Sequence, residues 1–537
     1  MEAAVMNTNR PTSSNFAHSP GQRRDTLADQ LKQISLEAGA ERHLGSSSGI
    51  SFAKLTQAVL RRLSPDQEAF VFDCDVNEDQ ERDAMFMPEL IPSINSTLID
   101  IDTPVFNDSG ANRMIDVHED SGAIDLALLE PSYVNRLLEF YFAHSHTLYP
   151  IIRQKEFTSM LWKVYSDPID PSSQSPLCLY RIWVILAIGS TTYSSVSLVD
   201  ESESVQFFNK AMTYFEPAMG CGDLAALEVL MLQVSYSFFN KIGPNTWLLV
   251  GIAARMATGM GLHTSDTYIS LPVDVAEFQK RLFFSLYMMD RVVSMALGRP
   301  FAIQDHDIDI GYFSDVDDEQ IHPDGIMPSN RLEPSSMAVP LHILGLRNIA
   351  SDIGNRVHSI KGSQEQSPEE KEQTIQSIHK RLIEWRRSMP FPLPDLQQKV
   401  PHLCTSWFDF NYYTHVIMLY RPSPLYRTLN LPKVRILADA SAMAIRQAIS
   451  MHRQNRFSYN WLNLLAVFNS ALSLMFSTTA QPDQLSLVLE RTNAIDDLEL
   501  AIELLEAFDK KFPSAKKIQR MIQVVVAKLR MHAIPTD

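Results

Sequence analysis

Between residues 247 and 309 two helical patterns follow one another and end on a stop, which restricts this part of the chain to packed helices. In WLLVGIAARMATGMGLH, Trp247, Val250, Gly251, Ala254, Thr258 and Gly261 recur at helical spacing. Gly251, Ala253, Ala254, Ala257, Gly259 and Gly261 put little side chain in the way of a neighbour, so the face reads as one for close packing. In EFQKRLFFSLYMMDRVVSMALGRPFAIQDHDID, Phe283, Tyr287, Asp290, Ser294 and Leu297 are spaced by four and three. Glu277 stands four residues before Arg281, which predicts an ion pair along the helix. Gly298 and Pro300 then end it, so a long helix is expected to close at Leu297.

The flanking sequence has the same character. Apolar periodicity runs through 133–149, 177–187, 205–215 and 224–239, with breaks at Pro150, Pro168 with Pro171, Pro217 with Gly220, and Gly243 with Pro244. A second helical block spans 339–529, interrupted by the polar stretch 361–373 and by Pro390 to Pro394. Strand alternation never persists, so the expected fold is all-α, an irregular array of antiparallel helix pairs. Four regions follow: 1–44, a disordered tail with a short coiled-coil stub; 45–130, an acidic-hydrophobic linker or activation segment; 131–330, a helical domain; and 331–537, a C-terminal helical region. In the stub, Leu27, Leu31, Ile34 and Ala38 span under two heptads and read either as part of a homodimer contact or as an isolated helix.

The central residues resemble the middle homology region of fungal-specific transcription factors, regulators that usually carry a six-cysteine binuclear zinc cluster near the N-terminus. The first half of the resemblance is Trp247, Gly251, Ala253, Arg255, Ala257, Gly261, Leu262 and His263. The second is Arg281, Phe283, Tyr287, Asp290, Arg291, Ser294, Leu297, Gly298, Arg299, Pro300, Ile303, Asp305 and Asp307. Weaker echoes occur in HLGSSSG at 43–49, LLEFYFAHSHTLYPII at 137–152, LIEWRRSMP at 382–390 and LYRPSPL at 419–425. The resemblance implies that 131–330 is the middle homology domain. It further implies a nuclear regulator of a metabolic or biosynthetic gene set, without enzymatic activity.

A binuclear cluster needs six thiolates, and the sequence has four cysteines, Cys74, Cys178, Cys221 and Cys404, none at Cys-x-x-Cys spacing. No cofactor is therefore expected in these residues, and zinc only with a six-cysteine cluster upstream of Met1. DNA contact would come from such a missing cluster or from a partner factor. The cysteines read as free and mostly buried. An apolar run of 18 residues is absent, the best candidate at 179–199 being broken by Arg181 and a Gly-Ser-Thr-Thr segment, so no membrane partner is expected and the chain reads as soluble and intracellular.

The formal charge of -16 is concentrated in one place. Residues 66–130 hold seventeen Asp or Glu against two bases, Arg82 and Arg113, interspersed with Phe70, Phe72, Phe86, Leu90 and Phe106. Carboxylates that keep apolar groups solvated make an amphipathic activation segment, with the transcription machinery as its partner; a linker folded back on the body is the alternative. A basic DNA-reading surface is not visible. Lys510, Lys511, Lys516, Lys517 and Arg520 read as an import signal, a weak phosphate contact or a solvated helix face.

Other patterns lack their context. Gly45 to Gly49 fits Gly-x-Ser-x-Gly without a preceding strand. Asp73 opens a calcium-like loop that has Glu78 and Ala84 where Gly and Glu belong. Asp305, Asp307 and Asp309 are expected to pair with nearby arginines such as Arg299 sooner than to gather a cation. His144 and His146, two apart, read as partly buried or partner-contacting. That leaves Trp247, Arg255, Tyr287, Asp290, Arg291 and Arg299. Asp290 and the three arginines would form ion pairs that lock the helices; alternatively Trp247, Arg255, Tyr287 and Arg291 line a pocket for a small-molecule effector. Against the nuclear regulator stands a cytoplasmic helical adaptor that sequesters a partner or a metabolite.

Overall fold

The structure, a computed structural model, describes residues 125–240, 246–328, 333–359, 366–393, 400–512 and 514–533. The coiled-coil stub, the Gly-x-Ser-x-Gly and calcium-like patterns, Cys74 and nearly all of the acidic segment lie outside the described residues. The helices are α1 Pro131–Tyr141, α2 Gln154–Ser166, α3 Pro176–Ser197, α4 Ser202–Met212, α5 Phe215–Met219, α6 Asp223–Ser237, α7 Thr246–Gly259 and α8 Val273–Leu297. They continue as α9 Ala338–Asp352, α10 Pro368–Arg387, α11 Thr405–Tyr420, α12 Leu431–Arg453, α13 Trp461–Thr478, α14 Leu485–Arg491, α15 Ala494–Asp509 and α16 Ser514–Ala533. Helices α6 to α13 each pack on the next in sequence, which produces the expected array of antiparallel pairs. Among the described residues strand is confined to a small hairpin, Ile321–His322 against Gly325–Ile326.

Local chemistry sets the helix ends. Proline opens α1, α3 and α10, where a missing N–H leaves no bond unmade. Ser367 and Glu370 form a capping box that starts α10 at Pro368, inside the stretch expected to be a polar break. Gly298 takes φ 66° and closes α8 where the sequence predicts.

Among the described residues one apolar cluster runs from Leu126 to Leu529. Helices α3, α6 and α13 are apolar on nearly all sides because neighbours surround them. Helices α3 and α13 are long and apolar enough to cross a membrane, but 78% of each apolar window is buried inside the body. The second of these was not expected from sequence.

Close helix approach occurs at an unforeseen glycine. A Cβ on Gly251 or Gly259 would meet nothing within 4 Å, whereas one on Gly189 of α3 would lie 2.3 Å from the backbone oxygen of Leu137 in α1. Gly189→Ala should therefore force α1 and α3 apart and cost about 1–3 kcal/mol by chemical denaturation, whereas Gly251→Ala should be neutral or slightly stabilising. Equal effects at both positions would contradict this packing.

The polar expectations are partly redistributed. Glu277 and Arg281 do not pair: Glu277 accepts the Ser314 N–H at 2.7 Å and lies 3.3 Å from Lys280, while Arg281 binds Asp318 in the segment before the hairpin. Lys511 is drawn inward to an ion pair with Glu201, so the C-terminal basic group is not one solvated face. Of the cysteines described, Cys178 is buried, Cys404 half-buried and Cys221 exposed, the last against expectation.

Candidate functional site

The face of α8 that carries Tyr287, Asp290 and Ser294 is the centre of a buried polar network. After the turn at Gly298 the chain doubles back, so that the Ala302 and Ile303 N–H groups donate to Asp290 at 3.1 and 3.2 Å. Ser294 Oγ donates to the same carboxylate at 3.1 Å and Arg291 Nη1 at 2.7 Å. Burial pushes the Asp290 carboxyl up, and these donors pull against it.

Arg291, 0% exposed, serves several partners. Its Nε donates to Ser351 Oγ of α9 at 3.1 Å, and its Nη2 lies 3.2 Å from Asp305. The guanidinium stacks 3.9 Å from the Tyr287 ring centre and 4.3 Å from that of Phe301. Tyr287 donates to Asp305 at 2.6 Å, and Ser351 donates to it as well. Burial raises the Asp305 carboxyl, but Arg291 and the two hydroxyls outweigh it and hold the group below its usual range. Two carboxylates thus compensate one guanidinium and tie α8, its return loop and α9 together.

The other sequence candidates lie elsewhere. Arg299 stacks over Trp247, 4.7 Å from the ring centre. Asp305 belongs to Arg291, Asp309 caps the Ser265 N–H at 2.6 Å, and Asp307 faces His306 at 3.5 Å. Arg255 is exposed on α7. Among the described residues no group of three His, Cys, Asp or Glu side chains could hold a metal.

Beside the network lies a cavity of about 180 Å³ between the 131–330 region and the C-terminal helices. Arg291, Val292, Met295 and Ala296 of α8 form one wall, with Arg347 and Ala350 of α9 next to them. Trp407, Phe410, Asn411 and His415 of α11, His402 before it and residues of α13 complete the lining. His144 enters from a π-helical turn at Phe142–His146, which continues α1 and is wider than an α-helical turn; both His144 and His146 are buried. Burial holds His144 well below its ordinary range, and His402 and His415 at about 3, so all three are neutral.

Sequence reasoning missed Arg347, His402 and His415, and it quoted Arg421 only as part of LYRPSPL. Arg421 reaches Asn469 at 3.3 Å, and burial lowers its guanidinium to about 10. The lining therefore combines apolar walls with three arginines and three neutral imidazoles, and contains no carboxylate. Such a surface favours a negatively charged guest.

Residues 138–387 match the fungal specific transcription factor domain. The chain is 22% identical over 564 aligned residues to the positive regulator of purine utilization of Emericella nidulans, covering 86% of this chain and 51% of that protein. It is 24% identical over 435 residues to the acetamidase regulatory protein of Aspergillus fumigatus, covering 78% and 51%. To the pyrimidine pathway regulatory protein 1 of Saccharomyces cerevisiae it is 24% identical over 302 residues, covering 55% and 33%. The chain thus spans about half the length of the first two and a third of the other.

Proposed function

We propose, from the fungal specific transcription factor domain that the chain carries, that it is a nuclear regulator controlling a metabolic or biosynthetic gene set and acting by binding, not catalysis. The single observation that supports this most is the match over 138–387, which takes in the Asp290–Arg291 network and α9. Three relatives regulate purine utilization, acetamidase and the pyrimidine pathway, which supports a metabolic gene set.

In this reading DNA contact comes from a zinc cluster outside these residues or from a partner factor, with zinc belonging to that cluster alone. Residues 66–130 engage the transcription machinery, and a homodimer contact falls to 25–38. The network is too closed to admit an effector, since Arg291 is wholly buried and its guanidinium is occupied. The adjoining cavity is the effector site, and Arg291 connects the two. Imaging the tagged full chain in a fungal host should show nuclear accumulation; persistent exclusion from the nucleus would overturn the reading and favour a cytoplasmic adaptor.

A further inference from the structure

We propose that the cavity between α8, α9, α11 and α13 binds a small organic anion, a carboxylate on a single planar ring, with the carboxylate held by Arg347. This ligand class rests on the reading of the cavity as an effector site. Among the described residues no carboxylate lies within ion-pair distance of Arg347, and its Nε is buried without a hydrogen-bond partner. Its neighbour Arg291 has two aspartates, so one guanidinium is compensated inside the protein and the other is not.

A half-buried guanidinium with no carboxylate beside it is an unfavourable charge, and a bound carboxylate would relieve it through charge-assisted hydrogen bonds. Burial lowers the Arg347 guanidinium, and the group lies near enough to Tyr149 and His415 to influence both. Those neighbours are neutral and leave its charge unmatched. A single carboxylate matches the one charge of Arg347, whereas a phosphate dianion carries a second charge for which Arg347 offers no partner. The walls set the rest of the ligand. Leu148, Phe239, Met295, Trp407 and Phe410 suit a flat apolar body, and Asn411 offers a polar contact at its edge. A volume of about 180 Å³ suits one ring, given that a dry cavity of roughly 150 Å³ accepts benzene.

The test uses the full chain with benzoate, benzamide, phenyl phosphate and chloride, followed by thermal shift and calorimetry. Benzoate should bind and raise Tm, while benzamide, of the same shape without the charge, should do neither. Arg347→Met should weaken benzoate by at least about tenfold and should raise the Tm of the ligand-free protein, an effect that loss of a merely structural arginine would not give. Equal binding of benzoate and benzamide, or no benzoate response, would overturn the proposal. So would a chloride response as large as that of benzoate, tighter binding of phenyl phosphate than of benzoate, or an Arg347→Met protein that is destabilised yet binds normally. Benzoate binding by a chain that is inactive on a reporter would leave the ligand class standing and remove only the regulatory reading.

Discussion

Replacing Asp290 by alanine is expected to destabilise the protein by about 3–5 kcal/mol, because it removes one partner of a fully buried ion pair. The change strips the closest carboxylate from Arg291 and leaves the Ala302 and Ile303 N–H groups without their acceptor. Asp305 cannot substitute, since Tyr287, Ser351 and Arg291 Nη2 already engage it. Asp290→Asn keeps an acceptor for the return loop but loses the charge, and should cost less. Urea denaturation of the two variants beside the parent checks the order. A neutral Asp290→Ala would mean that the network does not hold α8, its loop and α9 together.

Mild acid is expected to destabilise the fold steeply. Burial, the largest cause in each case, holds His144 well below the ordinary imidazole value, His146 at about 4, and His358, His402 and His415 at about 3. In the unfolded chain each titrates near 6.5, as a free imidazole does. As pH falls below about 6.5 the unfolded state therefore takes up protons that the folded state refuses, and stability drops. The stabilisation is complete above about pH 7, and each histidine loses on the order of 1 kcal/mol by about pH 5.5. Glu228 and Asp290, raised by burial against their arginine partners, oppose the trend only in the carboxylate range. Melting curves between about pH 7.5 and 5.5 should show Tm falling with acid; a flat profile would contradict neutral burial of these rings.

How far these features could be read in advance depends on the distance over which each is built. The end of α8 at Gly298 and the face bearing Tyr287, Asp290 and Ser294 are local, and spacing alone places them. The second partner of Arg291 is not local, because it depends on how the loop after Pro300 folds back, and Asp305 arrives there while Arg299 turns to Trp247. Arg255 follows Ala254 by one residue, about 100° around the helix, which carries it off the buried face of Leu249, Val250, Ala253 and Ala257. Gly251 shows the same limit: a small residue permits close approach without causing it, and the contact occurs at Gly189. The start of α10 was readable, since Ser367 three residues before Glu370 is a capping box, but polar composition obscured it. The cavity was not, because His144, Arg347 and the pair His402 and His415 come from stretches far apart in the chain, and no local pattern marks them as neighbours.

The regulator reading is tested most directly by fusing the full chain to a heterologous DNA-binding domain and measuring a reporter placed under its site in a fungal host. The account predicts that the fusion, verified as present on the promoter, changes reporter output and that deleting residues 66–130 reduces the change. Output identical to that of the DNA-binding domain alone would contradict it.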